Sequence, residues 1–191
     1  MEYLAPDSTG PFRLLVIGGS QGARVMADIV PGAIERLEPA LWGRLILTQQ
    51  VREEDMARVR GVYDRLKINA ELAPFFTDLP ARLASNHLVV SRSGAGTVAE
   101  LAAIGRPSIL VPLPGAIDQD QFANAGVLSQ VNGALRIPQA DFTPDRLASE
   151  ISALAAEPAR LVAMAESARA VGRLDAAERL ADLVIKVAGF R

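Results

Sequence analysis

Short apolar runs alternate with segments of helical length along most of this 191-residue chain. Apolar strands that are joined by helical crossovers are typical of a parallel sheet with both faces covered. The alternation therefore predicts an α/β fold with helices on both sides of about six parallel strands. The predicted strands are residues 13–17, 44–48, 68–72, 87–91, 108–111 and 134–137.

The composition is that of a soluble globular protein, since 50% of the residues are hydrophobic and 22% are charged. The chain has 20 Lys and Arg and 22 Asp and Glu, and the resulting net charge of −2 argues against nucleic-acid binding through bulk charge. The absence of cysteine excludes disulfides, thiolate metal sites and a cysteine nucleophile. Residues 161–165, the longest apolar run, fall far short of the ~20 residues of a membrane-spanning helix. The first residues lack the features of a signal peptide.

The first candidate site follows the first predicted strand, where residues 18–23 read GGSQGA. Glycines adopt positive φ and let the backbone approach a ligand closely. Ser20 is placed to cap the following helix or to donate to a phosphate. Gln21 offers an amide to a sugar or to the opposite side of a cleft. A tight strand-to-helix turn without any ligand is an equally good interpretation of the Gly-Gly-Ser sequence alone.

The second candidate site follows the fourth predicted strand, where residues 91–100 read SRSGAGTVAE. The free N–H groups and the dipole of a helix N-terminus bind phosphate, and Thr97 adds a hydroxyl donor. Glu100 lies one turn further along the helix. A carboxylate there can accept both hydroxyls of a ribose whose phosphates rest on the helix end. The alternative is that Glu100 only complements the helix dipole.

The same stretch also fits a relaxed G-x-G-x-x-A dinucleotide fingerprint. That fingerprint requires an acidic residue at the end of the next strand, ~20 residues further on, to bind the ribose. Here the next strand leads into residues 111–115, which read VPLPG, and the first acid is Asp118. Nicotinamide binding is therefore disfavoured.

A third polar segment opens the helix after the fifth predicted strand, where residues 118–125 read DQDQFANA. Carboxylates and amides are partners for sugar hydroxyls, and they are also ordinary residues at a helix start. Asp118 alone is more typical of a helix cap. The density of Gln and Asn in this segment favours a ligand.

The remaining polar and aromatic residues give weaker signals. His87 is the single histidine. It has no acid or nucleophile beside it in the sequence, so we expect a surface or strand-edge role. No group of His, Asp and Glu has metal-ligand spacing. Trp42 and Phe75 are expected in the core, whereas Phe76 stays a candidate because it follows the third predicted strand.

Together the three segments resemble the C-terminal half of the MurG family, in their residues, their order and their spacing. The resemblance runs from about Phe12 to Val187. That family transfers N-acetylglucosamine from UDP-N-acetylglucosamine (UDP-GlcNAc) to lipid I, which gives lipid II in bacterial peptidoglycan synthesis. Its members have two Rossmann-like lobes in the GT-B architecture, with the active site between them. The resemblance implies that this chain is the donor-binding lobe alone, a Rossmann-like three-layer α/β/α domain.

The resemblance also implies how the donor's diphosphate is bound. Ser20 and Gln21 would lie at the cleft, with Ser20 near the diphosphate. The backbone of Ala95, Gly96 and Thr97, together with the Thr97 hydroxyl, would hold the phosphates.

The nucleoside and the sugar would be bound on either side of the diphosphate. The backbone of Phe76 would meet the uracil, and Glu100 would accept the ribose hydroxyls. Gln121 would bind the hydroxyls of N-acetylglucosamine, and Asn124 would support its loop. Asp120 stands where relatives usually carry Gln or His, which leaves its role open.

Arg92 precedes the second motif as it does in the family. It would either neutralise phosphate or form a structural ion pair, and the structural role is favoured slightly. No catalytic residue is expected in this lobe, because the resemblance assigns the base, the acceptor-binding loops and the membrane-binding patch to the other lobe. Residues 1–11 are expected to be a linker, and residues 12–191 the donor-binding domain.

The expected partners follow from the family. They are UDP-GlcNAc and, through the other lobe, lipid I; no cofactor, metal or nucleic acid is expected. The full-length protein would lie peripherally at the cytoplasmic face of the bacterial membrane, whereas this lobe alone would be soluble and inactive. Three alternatives stay open: the donor lobe of another GT-B transferase, a UDP-sugar epimerase, and a non-catalytic nucleotide-binding module.

Overall fold

A single parallel sheet with helices on both faces forms the body of the chain. The computed structural model describes residues 2–19, 22–115 and 119–189. The strands are β1 (Phe12–Ile17), β2 (Leu45–Gln50), β3 (Asn69–Ala73), β4 (Leu88–Ser91), β5 (Ser108–Leu110) and β6 (Ala134–Arg136). The helices are α1 (Arg24–Glu35), α2 (Pro39–Trp42), α3 (Glu53–Leu66), α4 (Leu79–Ser85), α5 (Ala95–Ile104), α6 (Asp120–Ser129), α7 (Pro144–Ala156), α8 (Pro158–Ala170) and α9 (Ala176–Ala188), and a 3-10 turn spans Gln139–Asp141.

The strands lie in the order β3-β2-β1-β4-β5-β6, and every neighbouring pair is parallel. From β1 the chain moves outward to β3, and it then returns to β4 and moves outward in the other direction. Val16 on β1 accordingly pairs with Gln49 on one side and with Val90 on the other. The predicted parallel sheet is confirmed, and each predicted strand boundary lies within two residues of the observed one.

The two faces of β1 pack into separate hydrophobic cores. Leu14 and Val16 belong to a core that α1, α3 and α7 cover, whereas Leu15 and Ile17 face a second core under α4, α5 and α6. Helix α8 contacts both α5 and α7 and so joins the two helical layers. Central strands that are apolar on both faces need this arrangement, because nearly all of their residues are taken out of water.

Helix α1 continues through Pro31, although a proline lacks the N–H that would bond to the carbonyl one turn earlier. That carbonyl belongs to Ala27, and the Nη1 of Arg58 on α3 donates to it at 3.0 Å. Arg58 also forms ion pairs with Asp28 and Asp55, at 2.8 and 2.6 Å. One side chain therefore satisfies the orphaned carbonyl and fastens α3 to α1.

Helix α9 leaves a stripe of apolar side chains uncovered, which we call the α9 stripe: Leu180, Leu183, Val184 and Val187, at the spacing of one helical face. Leu183 is 55% exposed and Val187 is 78% exposed. The opposite face of α9 carries charged residues. The stripe therefore adds nothing to the two cores of this chain.

Candidate functional site

The candidate site lies at the carboxyl ends of β1 and β4, where the strand order reverses. The crossovers that leave these two strands diverge, and the crevice between them is where parallel α/β sheets bind ligands. Two adjoining cavities open there. Gly19, Gly96 and Thr97 line both of them.

The glycine turn after β1 brings the backbone to the edge of this crevice. A Cβ atom at Gly18 would lie 2.1 Å from the backbone nitrogen of Ala23, so no other residue fits there. Gly19 and Gly22 adopt φ of +90° and +71°, a region that glycine reaches at no steric cost. Ser20 and Gln21, which the sequence predicts at the cleft, lie outside the described residues, and their roles stay predictions.

The start of α5 forms the opposite wall of the crevice. Gly94 caps the helix through its backbone, and within the described residues no side chain bonds to the first N–H groups. Those groups are therefore available to a ligand, as are the N–H groups of any uncapped helix start. A Cβ built at Gly96 would meet nothing within 4 Å, so the space above the helix end is open.

The Phe76 cavity, of about 290 Å³, lies on the β3 side of this helix end. The Phe76 ring is 8% exposed, and the guanidinium of Arg82 lies 4.2 Å from its centroid. Arg82 is fixed in turn by ion pairs with Glu71 and Asp78, at 2.6 and 2.7 Å. The cavity is lined by Ile17, Gly19, Gln50, Phe75, Phe76, Leu79, Gly96, Thr97 and Glu100.

The Phe76 cavity brings together four predicted site residues: Phe76, Gly96, Thr97 and Glu100. Glu100 lies one turn into α5, as its spacing predicts. Phe75, which the sequence analysis assigns to the core, is 59% exposed and also lines this cavity. The core assignment of Phe75 is therefore wrong, because its side chain faces the opening of the crevice.

The Arg92 cavity, of about 970 Å³, lies on the other side of the helix end, beneath α1 and beside β5 and β6. It is open and its lining is mixed: two glutamines, two arginines and Asp28 lie beside apolar side chains such as Ile29 and Leu113. It is lined by Gly18, Gly19, Gly22, Ala23, Arg24, Val25, Asp28, Ile29, Arg92, Gly94, Gly96, Thr97, Leu113, Gln121 and Gln139.

Arg92 is 8% exposed, and within the described ranges no carboxylate pairs with it. Its Nη1 donates to the carbonyls of Val111 and Pro112, each at 3.1 Å, and its Nη2 donates to Gln139 Oε1 at 2.5 Å. Burial lowers the pKa of the guanidinium, because the charged form loses hydration. Arg92 therefore fixes the chain that leaves β5 through carbonyl and amide acceptors, and among the described residues it does not form the structural ion pair that the sequence favours.

The polar segment at the start of α6 contributes one side chain to this cavity. Gln121 Oε1 accepts a hydrogen bond from the Leu113 N–H at 3.1 Å, and the Gln121 carbonyl accepts from Ser93 Oγ at 2.8 Å. These bonds join the loop after β5 to the start of α5. Asp120 and Asn124 line neither cavity, and neither does Ala95.

Two residues of the site are missing from the sequence-based prediction. Gln50, at the end of β2, is 5% exposed; it accepts from the Gly18 N–H at 3.0 Å and donates to the Pro74 carbonyl at 3.1 Å. Its only signal in the sequence is a polar pair, residues 49–50, at the end of an apolar strand. Gln139, in the 3-10 turn after β6, gives no signal in the sequence.

His87 lies at the amino ends of the strands, opposite the two cavities. Its Nδ1 accepts from the Arg13 N–H at 3.0 Å, and its carbonyl accepts from the Tyr3 hydroxyl at 3.0 Å. Partial burial, together with the charges of Arg13, Arg106 and Arg44, lowers the pKa of the imidazole to about 4. The expected strand-edge role agrees with this placement.

Among residues 2–19, 22–115 and 119–189, no group of His, Asp and Glu is arranged to hold a metal ion. That no metal is required stays a prediction. No helix in the same residues has the length and apolar character needed to cross a membrane.

A family model described as Glycosyltransferase family 28 C-terminal domain matches residues 13–180. The chain belongs to this family. The predicted resemblance is confirmed, since the match covers the sheet, all three motifs and most of the helices.

A curated family 28 relative from Bradyrhizobium diazoefficiens is 86% identical over 190 residues. Its name is UDP-N-acetylglucosamine–N-acetylmuramyl-(pentapeptide) pyrophosphoryl-undecaprenol N-acetylglucosamine transferase. The match covers 100% of this chain and 52% of the relative. The chain thus spans about half the length of the curated relatives that it matches.

Two solved structures share the fold of this chain. MurG of Acinetobacter baumannii superposes with a TM-score of 0.83 at 30% identity, over 92% of this chain and 52% of that chain. The UDP-GlcNAc 2-epimerase of Neisseria meningitidis, solved with UDP-GlcNAc bound, has a TM-score of 0.61 at 12% identity, over 93% of this chain and 44% of that chain. That second likeness shows a shared fold only.

Proposed function

We propose that this chain is the donor-binding half of a transferase that moves N-acetylglucosamine from UDP-GlcNAc to lipid I. The relative that is 86% identical carries this activity in its name. The single structural observation that supports the proposal is the pair of cavities on either side of the uncapped start of α5. A nucleoside diphosphate sugar needs one site for the nucleoside, an anion site in the middle and one site for the sugar.

The uridine would occupy the Phe76 cavity. Glu100, on the same wall, has a carboxylate that accepts two hydrogen bonds from the ribose hydroxyls. Such charge-assisted bonds contribute about 1.5–3 kcal/mol each. Phe76 borders the base, and Gln50 holds both loops that flank it.

The diphosphate would lie between Gly19 and the start of α5. The N–H groups of Gly96 and Thr97 and the dipole of α5 face the position where negative charge grows as UDP leaves. Arg92 adds a buried positive charge in the wall of the adjoining cavity. Preorganised donors of this kind stabilise the leaving group without having to reorganise during the reaction.

The reaction would be an inverting displacement at the anomeric carbon. The C4 hydroxyl of the acceptor sugar forms the new C–O bond while the bond to the UDP oxygen breaks, so the electron pair leaves with UDP. The hydroxyl proton would go to a base in the other half of the full-length protein. That half would also bind lipid I and the cytoplasmic face of the membrane, and residues 1–11 would be the linker to it.

Titration calorimetry of the chain with UDP, UDP-GlcNAc and NADH tests this proposal. We expect UDP to bind, Glu100→Ala to weaken UDP at least about tenfold, and no sugar transfer by this half alone. Glu166→Ala is a matched control, because Glu166 is exposed on α8 outside both cavities. NADH that binds more tightly than UDP, or an unchanged UDP affinity in Glu100→Ala, would contradict the proposal.

A further inference from the structure

Gln139 lines the Arg92 cavity from the far side, in the 3-10 turn after β6. Its carboxamide can turn either way in principle, with its oxygen or its nitrogen toward a neighbour. A guanidinium has only donors, so the 2.5 Å contact with Arg92 Nη2 requires the oxygen of Gln139 on that side. The orientation of the amide is therefore set by a buried charge.

Arg92 is itself held firmly enough to fix the orientation of the Gln139 amide. It is 8% exposed, and two backbone carbonyls accept from its Nη1. A permanently charged group without a carboxylate partner in the described ranges holds its acceptors strongly. Gln139 Oε1 is the third acceptor of Arg92. The Gln139 amide therefore cannot flip without leaving Arg92 Nη2 unpaired.

The nitrogen of Gln139 consequently points away from Arg92. Within the part of the chain that the structure describes, Nε2 donates to no protein atom. The residue is partly exposed and lines the Arg92 cavity. Its two N–H donors are therefore available to a ligand.

The strand order indicates which part of a ligand the two N–H donors of Gln139 would meet. The start of α5 follows β4, and Gln139 follows β6, two strands further from the nucleoside side. Neighbouring strands are about 4.8 Å apart, so the two points are separated by about 10 Å across the sheet. A diphosphate at α5 with its nucleoside in the Phe76 cavity directs its sugar toward Gln121 and Gln139.

We infer that Gln139 is a sugar-binding residue whose amide, oriented by Arg92, donates to the oxygens of the donor's hexose. This inference rests on the proposed function, because the direction of the ligand comes from it. Gln139 acts on the sugar and not on the nucleotide, so its loss changes the preference between UDP-GlcNAc and UDP.

Two variants separate the donor role from a structural one. Gln139→Leu removes the amide, and Gln139→Glu keeps an acceptor for Arg92 while it removes both donors. In each variant we expect the ratio of the UDP-GlcNAc dissociation constant to the UDP dissociation constant to rise about three- to tenfold. In Gln139→Leu the UDP constant itself should change less than about twofold. Gln130→Leu is the matched control, since Gln130 is exposed and outside both cavities.

Calorimetric titrations of wild type and variants with both ligands give these ratios, and thermal melts report whether each variant is folded. If Gln139→Glu keeps the wild-type ratio of the two dissociation constants, the inference is overturned. It is also overturned if Gln139→Leu weakens the binding of UDP and UDP-GlcNAc equally. Either result leaves the proposed function standing, provided that the wild-type chain binds UDP and Glu100→Ala weakens it. If the wild-type chain does not bind UDP, that result would contradict both the proposed function and the inference about Gln139.

Discussion

The side-chain oxygen of Gln50 accepts the backbone N–H of Gly18 at 3.0 Å. Through its nitrogen the same side chain donates to the Pro74 carbonyl at 3.1 Å. One amide at the end of β2 thus joins the glycine turn after β1 to the loop after β3. Both loops border the Phe76 cavity, so their separation depends on this residue.

Gln50→Leu should therefore weaken UDP binding about two- to tenfold, although the side chain need not touch the ligand. Two partly buried backbone groups lose their partners, which should also cost about 1–3 kcal/mol in the free energy of unfolding. Calorimetry and urea denaturation measure the two effects. Gln130→Leu, at an exposed position, should change neither quantity, and a Gln50→Leu chain with wild-type UDP affinity would contradict the positioning role.

The periodic parts of the fold follow from the sequence because their signals are local. In helix α3, for example, the apolar spacing of Met56, Val59 and Tyr63 and the acidic first turn all lie within the segment itself. The contacts that complete the site are not local. Gln50 reaches Gly18 across 32 residues, and Arg92 reaches Gln139 across 47. The partners of Gln50 and Arg92 cannot be predicted until the strand order is known.

Local sequence signals also do not predict very short helices, or the partner of a side chain that can bind several kinds of group. Helix α2 has four residues and no periodicity, so the sequence analysis does not predict it. For Arg92 the sequence leaves open phosphate neutralisation and a structural ion pair, with a slight preference for the ion pair. The fold instead surrounds it with carbonyls, which a sequence does not reveal.

Stability should rise with pH between about 4 and 6.5 because of His87. The pKa of this imidazole is lowered to about 4 in the folded chain, chiefly by burial, whereas the unfolded value is about 6.5. In this window the unfolded state binds more protons, so the free energy of unfolding increases with pH. The stabilisation is complete above about pH 6.5 and is lost as the pH falls toward 4.

His87→Gln removes this titration and keeps a side chain that can accept from the Arg13 N–H. Urea midpoints measured from pH 4.5 to 7.5 should show a smaller pH slope in the variant than in the wild type. Since His87 is the single histidine, no other imidazole contributes to the difference. Parallel slopes for the two proteins would show that His87 does not titrate differently on folding.

Two leucine-to-alanine changes should differ strongly in their effect on this chain. Leu147 on α7 is fully buried in the core beneath α1, so Leu147→Ala should cost about 2–5 kcal/mol. Leu183, in the α9 stripe, is 55% exposed, and Leu183→Ala should change the free energy of unfolding by about 0.5 kcal/mol or less. Urea denaturation of both variants measures the two changes in the free energy of unfolding. A large loss of stability in Leu183→Ala would mean that the α9 stripe is covered in solution.

Gln121 should distinguish the sugar from the nucleotide by a route independent of Gln139. Its oxygen already accepts from the Leu113 N–H, so its amide nitrogen is left to donate into the Arg92 cavity. Gln121→Ala should weaken UDP-GlcNAc about three- to tenfold while UDP changes less, because the proposed function places the uridine in the Phe76 cavity, on the other side of α5. Gln121→Glu keeps the acceptor for Leu113 and removes the donors, so it should show the same selective loss. Calorimetric titration with both ligands measures the split, and an equal loss for UDP and UDP-GlcNAc would remove Gln121 from the sugar site and assign it to loop structure alone.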